Sequence, residues 1–430
     1  MKERIAQMAE RGPVAWLRRS VIARVLLFLS LMGPGIITAN VDNDAGGIAT
    51  YSLAGAHFGY SLLWSLVPVA ASLIIVQEMC ARMGAVTGKG LADLIRENFG
   101  VRTTFFLMLA LLVTNLGNTM AEFSGLAAGT EIFGVSRYLS VPVAAALVWL
   151  LVVKGTYRSV EKVFLAASAF YVAYIISGFL ARPLWDEVLI ATIRPSLRFE
   201  PAYTMMLMGI VGTTIAPWMQ FYNQSAVVEK GVTADQCSYT RLDVMVGSVA
   251  AVGVVFFIVV ACGATIHASG LRVETVGDAA LALGPLAGGY AAALFALGLV
   301  NASLFAASVL PLSTSYSVCE ALGFEAGVSK GFRQAPVFFG LYTAMIVLGA
   351  LAVLWPNAPL LQIMYLSQVL NGILLPYVLI FILLLVNKKN LMGRFTNPRL
   401  LNVVAWGVVG VVILLTLVLL LSQITSALAQ

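Results

Sequence analysis

Apolar residues run almost unbroken through eleven stretches of this chain: 25–55, 60–84, 103–132, 138–153, 160–181, 202–228, 242–268, 284–318, 335–355, 360–386 and 400–422. A helix crossing a bilayer needs about 20 mostly apolar residues. Met eleven times over, that requirement predicts an all-α, polytopic membrane protein. Composition agrees, because 60% of the 430 residues are hydrophobic and 11% charged, against about 45–50% and about 25% in soluble chains. A cytosolic enzyme, a disordered chain and a fibrous repeat are thereby excluded. A transmembrane barrel fits poorly, since its strands alternate apolar and polar residues. Here Leu147–Val153 is continuous, and Val411–Leu421 is interrupted only by Thr416.

The net charge of +6 raises the question of a nucleic-acid partner, and the placement of the charges answers it. With the N-terminus inside, 21 of the 26 Lys and Arg fall in inner segments. Only Arg137, Arg182, Arg194, Arg198 and Arg272 fall outside. That asymmetry is the positive-inside signal. It predicts a cytoplasmic N-terminus, an outer C-terminus and no nucleic-acid binding. The expected organisation is a basic segment 1–24, spans 1–5 over 25–182, an outer loop 183–201, spans 6–10 over 202–387, and span 11 with the outer tail over 388–430. Residues 90–99 read as an amphipathic helix at the inner surface. The first span is not expected to be a cleaved signal peptide, because it is too long and runs into Asn40, Asp42 and Asp44. Cys80, Cys237, Cys262 and Cys319 are far apart with no CxxC, which implies no disulfide framework and no zinc site.

An acid at the bilayer centre costs about 2.5–3.5 kcal/mol on insertion scales, so polar breaks inside spans mark function. Span 1 carries GPGIITANVDNDAGGIATYS over 33–52. Two acids, two Asn and the pair Gly46–Gly47 predict two half-helices joined by an unwound stretch near Asp42–Gly47. Span 6 carries GIVGTTIAPWMQFYNQSAV over 209–227. There Pro217 removes the bond to Thr213, amid Thr214, Gln220, Asn223 and Gln224. Two broken helices five spans apart are the pattern of inverted five-helix repeats with substrate at the paired breaks.

Span 3 adds Asn115, Asn118, Thr119 and Glu122. The last is either part of the site or a carboxyl hydrogen-bonded to a neighbouring helix. In span 10, Gln368 and Asn371 share one helix face. His57 and His267 fall at outer span ends and read as structural. No Lys or Arg accompanies the mid-span acids Asp42, Asp44 and Glu122, and no His or Cys lies near either break. Oxygen ligands without thiolate or imidazole suit a hard divalent cation. Mg2+ dehydrates reluctantly and needs few direct ligands. A membrane hydrolase would require pairings such as GxSxG with His, or HExxH, and neither is present, so no enzyme is expected.

From about Gly33 to the last spans, the chain resembles the NRAMP family of divalent metal transporters, and most nearly its magnesium-transporting branch. GPGIITANVDNDAGGIAT resembles the stretch ending in the family's DPGN motif. VQEMCARMGAVTGKGLADLIRENFG resembles its segment joining spans 2 and 3. NTMAEFSG resembles its span-3 acidic motif, and GTTIAPWMQFYNQSAV its span-6 stretch around MPH. Where the family has DPGN, this chain has Asp44, Ala45, Gly46 and Gly47, which keeps the acid and loses the Asn ligand. Where the family has MPH, it has Ala216, Pro217 and Trp218, which removes the thioether that favours transition metals. Thr119 replaces the acid three residues before Glu122. The span-6 histidines are absent, and residues 334–387 hold no Lys or Arg.

The resemblance implies a LeuT-type fold of inverted five-helix repeats plus an eleventh span, working by alternating access. The implied ion site comprises Asp44 for charge, Gly47 and Ala216 at the substituted motif positions, and Gln368 and Asn371 hydrogen-bonding the hydrated ion. Trp218 either widens the cavity or packs as a large ring. The implied cargo is Mg2+, with Mn2+ as a second ion, driven by the membrane potential without proton coupling. No cofactor is expected, and the chain is read as a monomer in the plasma membrane. The competing reading is a proton-coupled Mn2+/Fe2+ transporter of the ordinary kind.

Overall fold

The computed structural model describes residues 41, 43–154, 171–198, 200–271, 273–328 and 330–428. In chain order the main helices are α1 (Ala45–Phe58), α2 (Leu63–Thr87), α3 (Leu91–Phe99), α4 (Val101–Ile132), α5 (Arg137–Lys154), α6 (Val172–Leu180) and α7 (Trp185–Ile193). They continue with α8 (Pro201–Thr214), α9 (Pro217–Glu229), α10 (Cys237–Cys262), α11 (Ala291–Leu322), α12 (Pro336–Val353), α13 (Leu360–Val386) and α14 (Arg399–Leu428). No strand occurs among the described residues.

Eight helical stretches among the described residues are long and apolar enough to cross a membrane. They fall on eight of the eleven expected spans. The remaining three have identifiable reasons. Residues 202–228 divide into α8 and α9, each too short alone. Residues 25–55 and 160–181 lie partly outside the described residues, and α1 and α6 are their described portions.

Two expectations about connections are met differently. Residues 90–99 form α3, whose Leu91, Ala92, Leu94 and Ile95 are buried while charged residues occupy its other face. Residues 183–201, expected as a loop, contain α7 with Asp186 and Glu187 in its first turn, where acids complement the helix dipole. Among α7 residues only Val188 is buried.

The long helix α4 runs through the centre, packed on α11, α12 and α13. Outward-facing Phe105, Phe106, Leu109 and Val113 of α4, with Val143, Leu147 and Leu150 of α5, are exposed and form an apolar exterior suited to lipid. Between helices in lipid, close packing replaces the hydrophobic drive. The contact of α8 with α13 shows how close it becomes. A Cβ on Gly212 would stand 2.0 Å from the Gln368 carbonyl oxygen and 2.4 Å from the Gly372 nitrogen. Only glycine permits that backbone-to-backbone approach.

Candidate ion site

Asp44 starts α1 as its N-cap. Its Oδ1 accepts a 2.6 Å bond from the Gly47 N–H, satisfying one of the donors that a helix start leaves open. A second donor, the Ala45 N–H, reaches Glu122 Oε2 at 3.2 Å. The Asn43 carbonyl accepts from the Tyr171 hydroxyl at 2.7 Å. Asn43 and Asp44 are non-helical and the helix begins at Ala45, so on its C-terminal side the unwound stretch ends before the expected Gly47; the half-helix expected before it lies outside the described residues. Gly46 and Gly47 are helical. Gly46 matters for space: a Cβ there would lie 1.9 Å from Gln368 Nε2. Asp42 lies outside the described residues.

The second interruption is Ile215–Ala216, between α8 and α9, with Pro217 as the first residue of α9. The Thr213 carbonyl receives no α-helical bond from Pro217, which has no N–H. The Ala216 carbonyl is already engaged, by the Met219 N–H at 3.2 Å and by Gln220 Nε2 at 3.4 Å.

The two interruptions are tied together. Tyr51 and Thr214 share a hydroxyl–hydroxyl bond of 2.8 Å. Gln368 of α13 stands between them, its side chain against Gly46 and its backbone against Gly212. Asn371 Nδ2 donates to Gln368 Oε1 at 2.8 Å. Asn371 also pairs reciprocally with Asn118 of α4, through two bonds of 3.0 Å. Gln368 therefore packs between the two interrupted helices, and Asn371 reaches that contact through Gln368. Trp218 is 1% exposed and packs near Tyr222, with Ser313 Oγ donating to its carbonyl at 3.1 Å.

Other sequence candidates are turned elsewhere. Asn223 Nδ2 donates to the Gln77 carbonyl at 3.1 Å, and Gln224 Nε2 to the Lys89 carbonyl at 2.9 Å. Both fasten α9 to α2 and the turn after it. His267 Nδ1 lies 3.0 Å from the Ala56 carbonyl, a structural contact.

Glu122 is the residue whose place sequence reading left open. It is fully buried and its carboxyl interacts directly with that of Asp44. Among the described residues no Lys or Arg forms an ion pair with either carboxyl. Among the described residues, Asn43 Oδ1 next to Asp44 and Glu122 Oε1 are buried with no hydrogen-bond partner, as are Thr213 Oγ1 and Gln220 Oε1 on either side of the second interruption. Unpaired buried oxygens are costly, and all four accept electron-poor partners. No cluster of three His, Cys, Asp or Glu exists among the described residues. The donor set is thus two carboxyls with neutral oxygens, which suits a hard cation that retains part of its water shell. Tyr171 and Asn118 carry no sequence signal that names their partners, since those partners lie 128 and 253 residues away.

Paired interrupted helices around a buried oxygen-lined site define a helical membrane transporter of the broken-helix class. Residues 35–422 match the family described as natural resistance-associated macrophage protein-like, and the chain belongs to that family. It is 30% identical over 395 residues to the divalent metal cation transporter MntH of Erwinia tasmaniensis, covering 89% of this chain and 92% of that one. It is also 30% identical over 420 residues to the divalent metal cation transporter MntH 1 of Pseudomonas aeruginosa, covering 91% of each. In fold it is similar to the manganese transporter of Eremococcus coleocola, with a TM-score of 0.77 at 19% identity over 97% of this chain and 93% of that one. A more distant likeness is to Mhp1, a nucleobase-cation-symport-1 family transporter, with a TM-score of 0.57 at 15% identity over 92% and 93%. The architecture is the expected LeuT-type one, and these relatives are transporters, not enzymes.

Proposed function

We propose that this chain carries hydrated Mg2+ across the membrane, with Mn2+ as a second substrate, by alternating access around Asp44. Its sequence relatives are divalent metal cation transporters. The observation that carries the magnesium reading is the donor set: Asp44 and Glu122 with neutral oxygens, and Ala216 where a thioether would select softer ions. In this reading Asp44 supplies the principal charge and Gln368 lines the site. The small residues Gly47 and Ala216 leave room for bound water, and Asn371 acts from behind Gln368. Segments 25–182 and 202–387 are the two repeats that move against each other.

The absence of histidine from span 6 and of basic residues from 334–387 supports uncoupled transport. The membrane potential suffices as the driving force. Two charges crossing 100 mV gain about 4.6 kcal/mol, which sustains roughly a thousandfold gradient at about 1.4 kcal/mol per decade. The second reading is proton-coupled Mn2+/Fe2+ transport of the ordinary kind; the Eremococcus coleocola protein of similar fold is a manganese transporter.

The test is ion influx into proteoliposomes holding a magnesium-sensitive dye under an inside-negative potential. Saturable Mg2+ influx is expected, lost in Asp44→Ala. Robust Mn2+ uptake with no Mg2+ influx in the same vesicles selects the second reading.

A further inference from the structure

We propose that Asn118 is a positioning residue for the ion site, acting through Asn371 and Gln368 on the first turn of α1. The proposal rests on the reading of the Asp44 interruption as that site. It is carried by a continuous chain of amides. Asn118 and Asn371 are fully buried and exchange two bonds of 3.0 Å across the contact of α4 with α13. Asn371 uses the same Nδ2 to hold Gln368 Oε1 at 2.8 Å. With its oxygen held, Gln368 turns its Nε2 toward Gly46, two residues from Asp44. One helical turn beyond Asn118 on α4, Glu122 accepts from the Ala45 N–H. Residues four apart share a helix face, so one face of α4 holds the first turn of α1 both directly and through α13.

The orientation of Gln368 has a chemical consequence. An amide presents either a donor or an acceptor to its neighbourhood, and only the acceptor end favours a cation or the outward-pointing hydrogens of its water shell. In the observed arrangement Asn371 occupies that acceptor. Releasing or engaging Gln368 Oε1 therefore changes what the site offers the ion, and Asn118 holds Asn371 where it can do so. The Asn118 side chain bonds to Asn371 and not to Asp44 or Ala216, so its effect passes through the amide chain.

The experiment measures KM and maximal rate for Mg2+ and for Mn2+ in the same proteoliposomes. The proteins are wild type, Asn118→Ala, Asn118→Leu, Gln368→Ala, the double variant Asn118→Ala/Gln368→Ala and, as the site control, Asp44→Ala. Loss of an orienting partner behind a metal ligand changes affinity by about tenfold or more. Both Asn118 variants are expected to shift KM by about that factor with maximal rate per folded protein little changed. In the Gln368→Ala background the further Asn118→Ala change is expected to move KM no more. Wild-type KM in Asn118→Leu, which keeps the branched outline at larger volume and removes the amide, overturns the proposal by reducing Asn118 to a space filler. Independent, multiplicative effects of Asn118 and Gln368 overturn it as well, because they sever the chain. The arms separate this idea from the function itself. If wild type carries Mn2+ and not Mg2+, the magnesium reading fails while the Mn2+ arm still tests the amide chain. If Asp44→Ala leaves KM for both ions unchanged, the site has been misplaced and the proposal falls with it.

Discussion

Gly46 shows how a single position can mean two things. From sequence, a glycine pair inside an apolar run reads as weakness in the helix, because glycine loses more conformational freedom on folding than other residues. In the structure Gly46 lies within α1 and makes room for Gln368, whose Nε2 would stand 1.9 Å from an added Cβ, with the Met364 carbonyl at 3.2 Å. The two readings make opposite predictions for Gly46→Ala. Helix propensity gains about 0.5–1 kcal/mol, while overpacking costs about 1–3 kcal/mol. The clash is the larger effect, so ion influx is expected to fall by about tenfold at fixed protein. Partial recovery is expected in a Gly46→Ala/Gln368→Ala double variant, where the side-chain clash is gone and only the 3.2 Å contact to Met364 remains. Unchanged influx in the single variant means that α1 and α13 can part at this point without harm.

At the scale of elements, the interruptions define how the helices divide the work. The α8–α9 interruption is readable from Pro217 in an apolar run, because a missing N–H acts locally. What α9 does beyond it is not readable, since Asn223 and Gln224 find their partners on α2 and the turn after it. The same end of α2 is fastened by a buried ion network. Arg82 pairs with Glu78 at 3.1 Å, their side chains 7% and 10% exposed. It also donates to the Phe395 carbonyl and to Asn397 Oδ1, both at 2.5 Å. Arg241 Nη2 meets the other Glu78 oxygen at 2.9 Å. This network joins α2, the start of α10 and the turn before α14. Removing one partner of a buried pair leaves the other charge uncompensated, at about 3–5 kcal/mol. Arg82→Ala is therefore expected to lower the apparent melting temperature in detergent markedly. Arg241→Ala is expected to lower it less, because Arg241 is 57% exposed and exposed pairs contribute about 0–1 kcal/mol. Equal shifts in the two variants would mean that burial does not set the strength of the two pairs.

For the whole molecule the decisive quantity is electrical. A carrier moving two positive charges inward without protons responds to voltage and not to a pH gradient. Influx is expected to rise as the inside is made more negative, while internal pH, read with a second dye, stays level after correction for proton leak. Stoichiometric acidification would instead establish coupling and return the protein to the proton-coupled mechanism. The residues concerned are legible in sequence, because an absent histidine or arginine is visible without any partner. The path an ion takes through the protein is a property of the assembled bundle.

What the sequence determined alone follows from solvent and backbone chemistry. The bilayer accepts only satisfied backbone and apolar surface, so the apolar runs imposed helices and the membrane. An acid and a proline inside such runs imposed the two interruptions. Those constraints act within a few residues of their cause. The tertiary structure decided who meets whom: Glu122 on the Ala45 N–H, Tyr171 on the Asn43 carbonyl, Gln368 between Gly46 and Gly212, Asn118 against Asn371. Each of these joins residues far apart in the chain through short-range contacts. Such contacts form only when helix packing brings the elements to van der Waals distance, and no local pattern in the sequence encodes that distance.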